Sequence, residues 1–152
     1  MRIVAALALA AALLVLTGCQ ATDDLADQPG VHLVYVGPVP GSADPANPDK
    51  PLPPRLRFVL RNNTDQPVSF LGQSLTQPLY QIKRIDGPNP GQVASSMTAS
   101  GIKRVTLPPG NATHFHLPKN FDQPGRYELE IWVTTPGVEE EGAMKAPFTL
   151  AP

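Results

Sequence analysis

The stretch Tyr-Glu-Leu-Glu-Ile-Trp-Val-Thr at residues 127–134 alternates strictly between two sets of side chains. Tyrosine, leucine, isoleucine and valine take the odd-numbered positions, whereas the two glutamates, the tryptophan and the threonine take the even-numbered ones. A period of two places the first set on one face of a β-strand and the second set on the other. The stretch therefore predicts a strand with one buried face.

The same period recurs in seven further segments of the chain. Their residues are 31–36, 55–61, 68–71, 79–85, 102–107, 113–117 and 144–150. Turn-forming sequences separate them, among them Asp86-Gly87-Pro88, Pro108-Pro109-Gly110 and Pro124-Gly125. Strands with one polar face indicate antiparallel sheets, because parallel sheets are covered on both faces. Two such sheets bury their apolar faces against each other, so the sequence predicts an all-β, antiparallel β-sandwich of about seven or eight strands.

Three details of these strands give further predictions. The alternation is lost near Lys83-Arg84, which indicates a β-bulge. Pro147 cannot donate a hydrogen bond to a neighbouring strand, so the last strand is expected at a sheet edge. Glu128 and Glu130 share an outward face, and Lys83 or Arg84 is expected to pair with them.

Two sequence patterns resemble known sandwich domains. Leu-Pro-Pro-Gly at residues 107–110, followed by Pro-Gly-Arg-Tyr-Glu-Leu at 124–129, resembles the E–F corner of immunoglobulin-like sandwiches. Arg-Asn-Asn-Thr at 61–64, followed by Pro67-Val68, is similar to the early strands of bacterial immunoglobulin-like domains. The likeness covers Arg55 to Thr134. The same segment is also similar to the bacterial proteinase-inhibitor sandwich called BsuPI. The chain differs from antibody domains in lacking their two cysteines. The likeness implies an immunoglobulin-like sandwich over residues 31–152, with a tyrosine hydroxyl tied to nearby backbone at the corner.

Composition excludes several classes of protein. With 152 residues the chain has room for one domain. A net charge of −1 argues against a nucleic-acid binder that works by bulk attraction to phosphate. The single cysteine excludes an intrachain disulfide and a cysteine-rich zinc site.

The amino terminus carries an export signal. After Met1-Arg2, residues 3–16 are fourteen uncharged residues drawn only from Ala, Leu, Val and Ile. A helix of that length rises about 21 Å, which is too short for the roughly 30 Å hydrocarbon core of a bilayer. One basic residue, an apolar run and then small residues form the layout of a signal peptide, which we assign to residues 1–18.

Leu16-Thr17-Gly18-Cys19 resembles the lipobox of bacterial lipoproteins. The resemblance implies cleavage before Cys19, transfer of a diacylglyceryl group to its thiol and acylation of the new amino group. Two or three chains hold a protein stably at a membrane, whereas one does not. Gln20 stands where an aspartate favours retention at the inner membrane, so the same resemblance implies the outer membrane of a bacterial envelope. Residues 19–30 then form the lipidated cysteine and an acidic tether.

Two features of the predicted domain suit binding of a partner. Trp132 takes an even-numbered position, whereas the core residues of its strand take odd-numbered ones, so it is expected to be exposed. Exposed tryptophans often anchor protein interfaces. The alternative is that the chain's own loops cover it. Residues 37–54 contain seven prolines, which favour extended polyproline conformation, although a tolerated surface insertion has the same composition. The predicted partner-binding residues are Trp132, Pro38, Pro40, Pro53 and Pro54.

Two other sets of side chains can be interpreted either as binding sites or as ordinary structural positions. His114 and His116 share one face of a strand and, with Met97 or Met144, could hold a copper ion. The plain interpretation makes the two histidines the solvent side of the strand and Met144 a core residue. The row Arg55, Arg57 and Arg61 is interpreted as a solvated face, with a ligand site as the alternative.

The sequence contains no nucleophile elbow, zinc-binding helix motif or phosphate-binding glycine loop. We therefore predict a lipid-anchored envelope protein that acts as a binding or structural accessory module and is not an enzyme. Its expected partners are the membrane and another envelope protein, with no nucleic acid, no small-molecule substrate and no cofactor besides the covalent lipid on Cys19. Two alternatives remain open at this point: a proteinase inhibitor, implied by the likeness to BsuPI, and a periplasmic copper-binding protein.

Overall fold

The computed structural model describes residues 27–41, 43–44, 46–96, 100–134 and 142–151, and all regular elements within them are β-strands. The predicted signal peptide, Cys19 and most of the predicted tether lie outside the described residues. No helix in the described part of the chain is long and apolar enough to span a bilayer. The strands are β1 (Gly30–Val39), β2 (Ala43–Asp44), β3 (Asn47–Pro51), β4 (Arg55–Asn63), β5 (Val68–Ser74), β6 (Gln77–Pro78), β7 (Tyr80–Arg84), β8 (Gly91–Ser95), β9 (Lys103–Leu107), β10 (Ala112–Pro118), β11 (Gly125–Thr134) and β12 (Gly142–Leu150).

The strands form two antiparallel sheets and a separate short ladder. The smaller sheet has the order β1-β4-β10. In the larger sheet β11 pairs with β12 on one side and with β7 and then β5 on the other, while β8, β6 and β9 extend it. Strands β2 and β3 pair only with each other in the described part of the chain.

The apolar faces of the two sheets meet in one core, which makes the fold the predicted β-sandwich. Aromatic rings cross between the sheets: Phe58 meets Phe148 edge-on at 5.3 Å between centroids, and Phe70 meets Phe115 at 5.6 Å. Such edge-to-face pairs add to the free energy gained from burial. The fully buried residues with the largest side chains are Tyr127, Phe58, Phe70, Phe115, Leu56, Leu60, Ile82, Leu107, Leu129, Ile131, Val68 and Asn62.

The corner that leads into β11 contains the expected tyrosine hydrogen bond. The Tyr127 hydroxyl donates to the carbonyl oxygen of Gln123 at 2.6 Å. Its ring stacks on Phe148 at 5.6 Å and contacts Phe121 at 4.8 Å. The hydroxyl thus ties the loop before β11 to the start of the strand, while the ring lies in the core.

Of two local predictions, one is confirmed and one is corrected. Strand β12 contains Pro147 and pairs only with β11 among the described strands, as an edge strand should. The pairing of β7 with β8 shifts register between Ile82 and Lys83, next to the predicted bulge, but the extra residue is Val93 of β8, and β7 itself pairs regularly with β11. The missing donor of an edge-strand proline can face away from the ladder, which explains why Pro147 is tolerated.

The proline-rich stretch from Gly37 to Pro54 is more ordered than its sequence predicts, and this corrects the expected polyproline loop. Strand β1 continues to Val39, which pairs with Arg55 after a bulge between Tyr35 and Gly37. Residues 47–51 then form β3 opposite β2. Because β1 pairs on one side only among the described strands, Pro38 can occupy it without interrupting a ladder.

Candidate functional site

The outer face of the smaller sheet collects all three histidines of the chain and three of its arginines. Leu56, Phe58 and Leu60 of β4 point into the core, so the alternating positions of the strand point outward. We call the resulting surface the basic face. It consists of Arg55, Arg57 and Arg61 of β4, His32 of β1, and His114 and His116 of β10.

The strand register sets these side chains in rows across the sheet. Arg61 pairs with His32 on one side and with Ala112 on the other. Two residues along, Val59 lies between Val34 and His114, and only 7% of it is exposed. In the next row Arg57 pairs with His116. Since neighbouring strands are about 4.8 Å apart, the side chains of a row are close neighbours.

No opposite charge balances the basic face within the described structure. The sequences of β1, β4 and β10 contain no aspartate or glutamate. The ion pairs of the described residues involve Lys83, Arg84, Lys119 and Lys145, and none of them involves an arginine of the basic face. The Nε atom of Arg57 is buried and has no hydrogen-bond partner in the described part of the chain. Polar groups in that state cost free energy unless a ligand or water satisfies them.

The cations of the basic face act on one another. Partial burial, followed by the charges of Arg57, His114 and Arg55, lowers the pKa of His116 below its ordinary value of 6.5. A second cation placed on this face meets the same repulsion, whereas an anion is attracted.

This electrostatic setting bears directly on the predicted metal pair. His114 and His116 are exposed and share one face of β10, as the sequence predicts. No group of three or more His, Cys, Asp or Glu side chains is placed to hold a metal ion in the part of the chain that the structure describes. Met144 packs against the core from β12 in the other sheet, and Met97 lies outside the described residues. The arrangement therefore suits an anion better than copper.

A cleft of about 290 Å³ opens at one end of the basic face, between the two sheets. Arg55 and His116 line it from the smaller sheet, and Gln73, Tyr80 and Ser96 line it from the larger one. Ser96 Oγ donates to the carbonyl of Pro78 at 3.2 Å and accepts from the Tyr80 amide at 2.9 Å. Burial raises the pKa of the Tyr80 hydroxyl, so the phenol is neutral at physiological pH. The cleft was missed by sequence reasoning because β6 and Ser96 carry no strand period.

No protein-family model matches this chain, and no curated protein matches it.

The predicted partner-binding residues lie on different sheets. Trp132 lies on the outer face of the larger sheet, opposite Ala143 of β12, and is half-buried rather than fully exposed. Pro38 is exposed in β1 of the smaller sheet, and Pro40, Pro53 and Pro54 are exposed beyond the strand ends. The tryptophan and Pro38 therefore do not share a sheet face.

The outer face of the larger sheet carries charges that neutralise one another. Lys83 Nζ lies 2.8 Å from Glu130, which confirms the predicted pairing. Lys145 Nζ lies 3.0 Å from Glu128 and 3.1 Å from Glu130. Glu128 and Glu130 thus offset the charges of Lys83 and Lys145 on this face, whereas the strands of the basic face contain no carboxylate.

Proposed function

We propose that this protein is a binding or structural accessory module of a bacterial envelope, held at the outer membrane by lipid on Cys19 and without catalytic activity. The observation that carries the proposal is the sequence Leu16-Thr17-Gly18-Cys19, which directly follows an uncharged apolar run. The thiol within it is the only one in the chain.

The spacing between the anchor and the domain supports this arrangement. Strand β1 begins at Gly30, eleven residues after Cys19. Eleven residues reach at most about 36–40 Å when fully extended. The sandwich therefore stays within one domain diameter of the leaflet that holds the lipid, and its outer faces are available to neighbouring envelope components.

Mass spectrometry of the full chain, expressed in a Gram-negative host, tests the anchor. We expect a mature protein that begins at Cys19 with acyl chains on its sulfur and its amino group, and that sediments with membranes. Cys19→Ser should abolish the modification, whereas the matched variant Thr17→Ser keeps a small residue in the motif and should be processed normally. A wild-type protein with a bare Cys19 thiol, or one in the soluble fraction, contradicts the proposal.

The assignment to the outer membrane has its own test. Density-gradient separation of the two membranes is expected to place the wild type in the outer-membrane fraction, and Gln20→Asp is expected to move most of it to the inner membrane. Gln20→Asn is the control, because it keeps the side chain neutral. Wild-type protein in the inner-membrane fraction overturns this part of the proposal and leaves the lipid anchor standing.

The proposed contact with another envelope protein uses two separate regions, Trp132 on the larger sheet and the exposed prolines next to the smaller sheet. Crosslinking in intact cells, with the anchored protein as bait, should capture a partner that Trp132→Ala loses and that Trp132→Phe partly retains. The exposed pair Pro53 and Pro54, changed together to alanine, should weaken capture further. If all variants capture the same proteins as the wild type, this surface is wrong.

A further inference from the structure

We propose that the basic face is a membrane-docking surface, which lies flat on the anionic phospholipid headgroups of the leaflet that holds the Cys19 lipid. The proposal rests on the proposed lipid anchor and adds to it an orientation and a ligand chemistry. The ligands are the phosphate groups of the headgroup layer.

The first argument is the charge of the surface. Six outward side chains of the smaller sheet are arginine or histidine, and none of the three strands contributes a carboxylate. Arginine presents a planar fork of donors that matches the oxygens of a phosphate.

The second argument is the contrast with the opposite side of the molecule. Lysines on the outer face of the larger sheet pair with Glu128 and Glu130 at 2.8–3.1 Å. No such pair involves Arg55, Arg57 or Arg61 within the described residues. The chain has a net charge of −1, so bulk attraction does not draw it to an anionic surface. The attraction therefore depends on which face approaches first, and the basic face is the one whose strands contain no carboxylate.

The third argument is the place where the tether enters the domain. The tether ends at β1, which belongs to the smaller sheet and contributes His32 to the basic face. A tether of at most about 40 Å keeps this sheet within reach of the headgroups, and the effective concentration of lipid around it is high. Docking then needs only weak contacts, because the lipid on Cys19 already holds the protein at the surface.

The dimensions of the surface fit a layer of headgroups better than one small ion. Arg55 and Arg61 are six residues apart on β4, which is about 20 Å along an extended strand. Strands β1 and β10 flank β4, so the face is about 10 Å wide between its outer strands. The central position is occupied by Val59 with Val34 and His114 beside it, and the cleft lined by Arg55 and His116 lies at one end of the face. The three arginines are therefore spread along β4 and are not gathered around one phosphate.

A matched pair of labels tests the orientation on the acylated full-length mature protein in vesicles. Ala112 is exposed in β10 beside Arg61, and Ala143 is exposed in β12 beside Trp132. Each is changed separately to cysteine and labelled with a fluorophore. Because acylation occupies Cys19, each protein should carry one dye. Quenching is measured with a quencher attached to lipid headgroups, in phosphatidylcholine vesicles with or without phosphatidylglycerol.

The expected result is stronger quenching at position 112 than at position 143 in vesicles that contain phosphatidylglycerol, at about 0.1 M salt. The difference should vanish in pure phosphatidylcholine and at about 1 M salt, where the Debye length falls to about 3 Å. Replacing Arg55, Arg57 and Arg61 together with glutamine should lower the ratio of docked to undocked protein about fivefold for each arginine removed. The control triple variant replaces Lys103, Arg104 and Arg126 of the larger sheet with glutamine and should keep the difference.

Two results overturn the proposal. Equal quenching at positions 112 and 143 in anionic vesicles removes the membrane as the occupant and leaves an acidic protein surface as the ligand of the basic face. A difference that persists in pure phosphatidylcholine shows that the tether orients the domain without charge.

The lipid comparison uses wild-type charges, so it decides the matter even where the triple variant does not fold. Two dyes per chain instead of one mean that Cys19 is not acylated, which is a failure of the proposed anchor and not of the docking surface.

Discussion

Asn62 is a polar side chain with none of its surface exposed. Its Nδ2 atom donates to the carbonyl oxygens of Gln66 at 2.8 Å, Leu107 at 3.1 Å and Pro108 at 3.3 Å. Its Oδ1 atom accepts from the amide and the hydroxyl of Thr64. The side chain thus supplies hydrogen-bond partners to backbone groups of two turns. An amide offers both the donor and the acceptor that these buried groups need.

Asn62→Ala is expected to lower the free energy of unfolding by about 2–4 kcal/mol, because it leaves several buried groups without partners. The next residue offers a matched control. Asn63 is partly exposed and its Nδ2 donates to the Gln28 carbonyl at 2.8 Å, so Asn63→Ala should cost about 1 kcal/mol or less. Urea unfolding followed by tryptophan fluorescence measures both, and equal losses would show that the network around Asn62 is not special.

Tyr127→Phe isolates the hydrogen bond of the corner that leads into β11. The variant keeps the ring contacts with Phe148 and Phe121 but removes the donor to Gln123, so we expect a loss of about 1–2 kcal/mol in the free energy of unfolding. Tyr35→Phe is the control, because Tyr35 contacts Phe58 and Phe148 through its ring. It should change stability by less than about 0.5 kcal/mol. A similar effect of both changes would contradict a special role for the corner.

His116 makes stability depend on pH in a defined direction. Partial burial and then Arg57, His114 and Arg55 lower its pKa in the folded protein. The unfolded chain therefore binds a proton more readily, and the stability due to the neutral histidine is lost as the pH falls from about 6.5 through the lower folded pKa. NMR titration of the ring should give a pKa below 6.5, and Arg57→Gln should raise it. His116→Gln should flatten the dependence of the unfolding free energy on pH, and an unchanged profile would refute this role.

At the scale of the elements, three strands of the larger sheet are joined through one carboxylate. Glu130 of β11 is 6% exposed and lies within hydrogen-bonding distance of lysines from β7 and β12. The hydrogen bond from Lys83, followed by that from Lys145, lowers the pKa of Glu130 against the effect of burial. Opposite charges on neighbouring strands stabilise a sheet in this way.

Glu130→Gln is therefore expected to lower the free energy of unfolding by about 2 kcal/mol at neutral pH. A lowered folded pKa means that the stabilising effect is present above the unfolded pKa, which is near 4.5, and is lost as the pH falls through the folded value. The difference between wild type and variant should accordingly shrink below about pH 4. The matched change Glu128→Gln, which removes only the more exposed contact with Lys145, should cost less. Chemical unfolding over a pH series measures both variants.

The strands that alternate cleanly were predictable from the sequence, and the others were not. Strands β4, β10 and β11 bury every second residue, so their period of two follows from the core they face. The short strand β6 and the edge strand β8 have few buried residues, so their sequences carry no period to detect. The extension of β1 depends on a bulge and on pairing with Arg55, which are long-range features.

The separate rows of the basic face were predictable from the sequence, but their combination into one surface was not, because it also depends on long-range features. The row of arginines on β4 and the two histidines on β10 are visible in the sequence, where each was interpreted as the solvent side of its own strand. Their union into one surface with His32 depends on the sheet order β1-β4-β10 and on its register. Local periodicity gives no information about strand order, so the topology had to be known before the charges could be added together.

On the scale of the whole molecule, charge is divided between the two sides of the sandwich. The smaller sheet presents cations without carboxylates, while Glu128 and Glu130 lie on the larger sheet among lysines. A net charge of −1 conceals this division. The division itself predicts a behaviour in solution that does not depend on lipid.

The mature protein in neutral detergent is expected to be retained on a cation exchanger at pH 7 despite its negative net charge, because a surface binds through its local field and not through the net charge. Replacing Arg55, Arg57 and Arg61 with glutamine should abolish retention, whereas replacing Lys103, Arg104 and Arg126 removes the same charge from the larger sheet and should leave most of it. Equal loss in the two triple variants would show that charge is spread evenly over the molecule, and with it the physical basis for an oriented approach to any anionic surface would be gone.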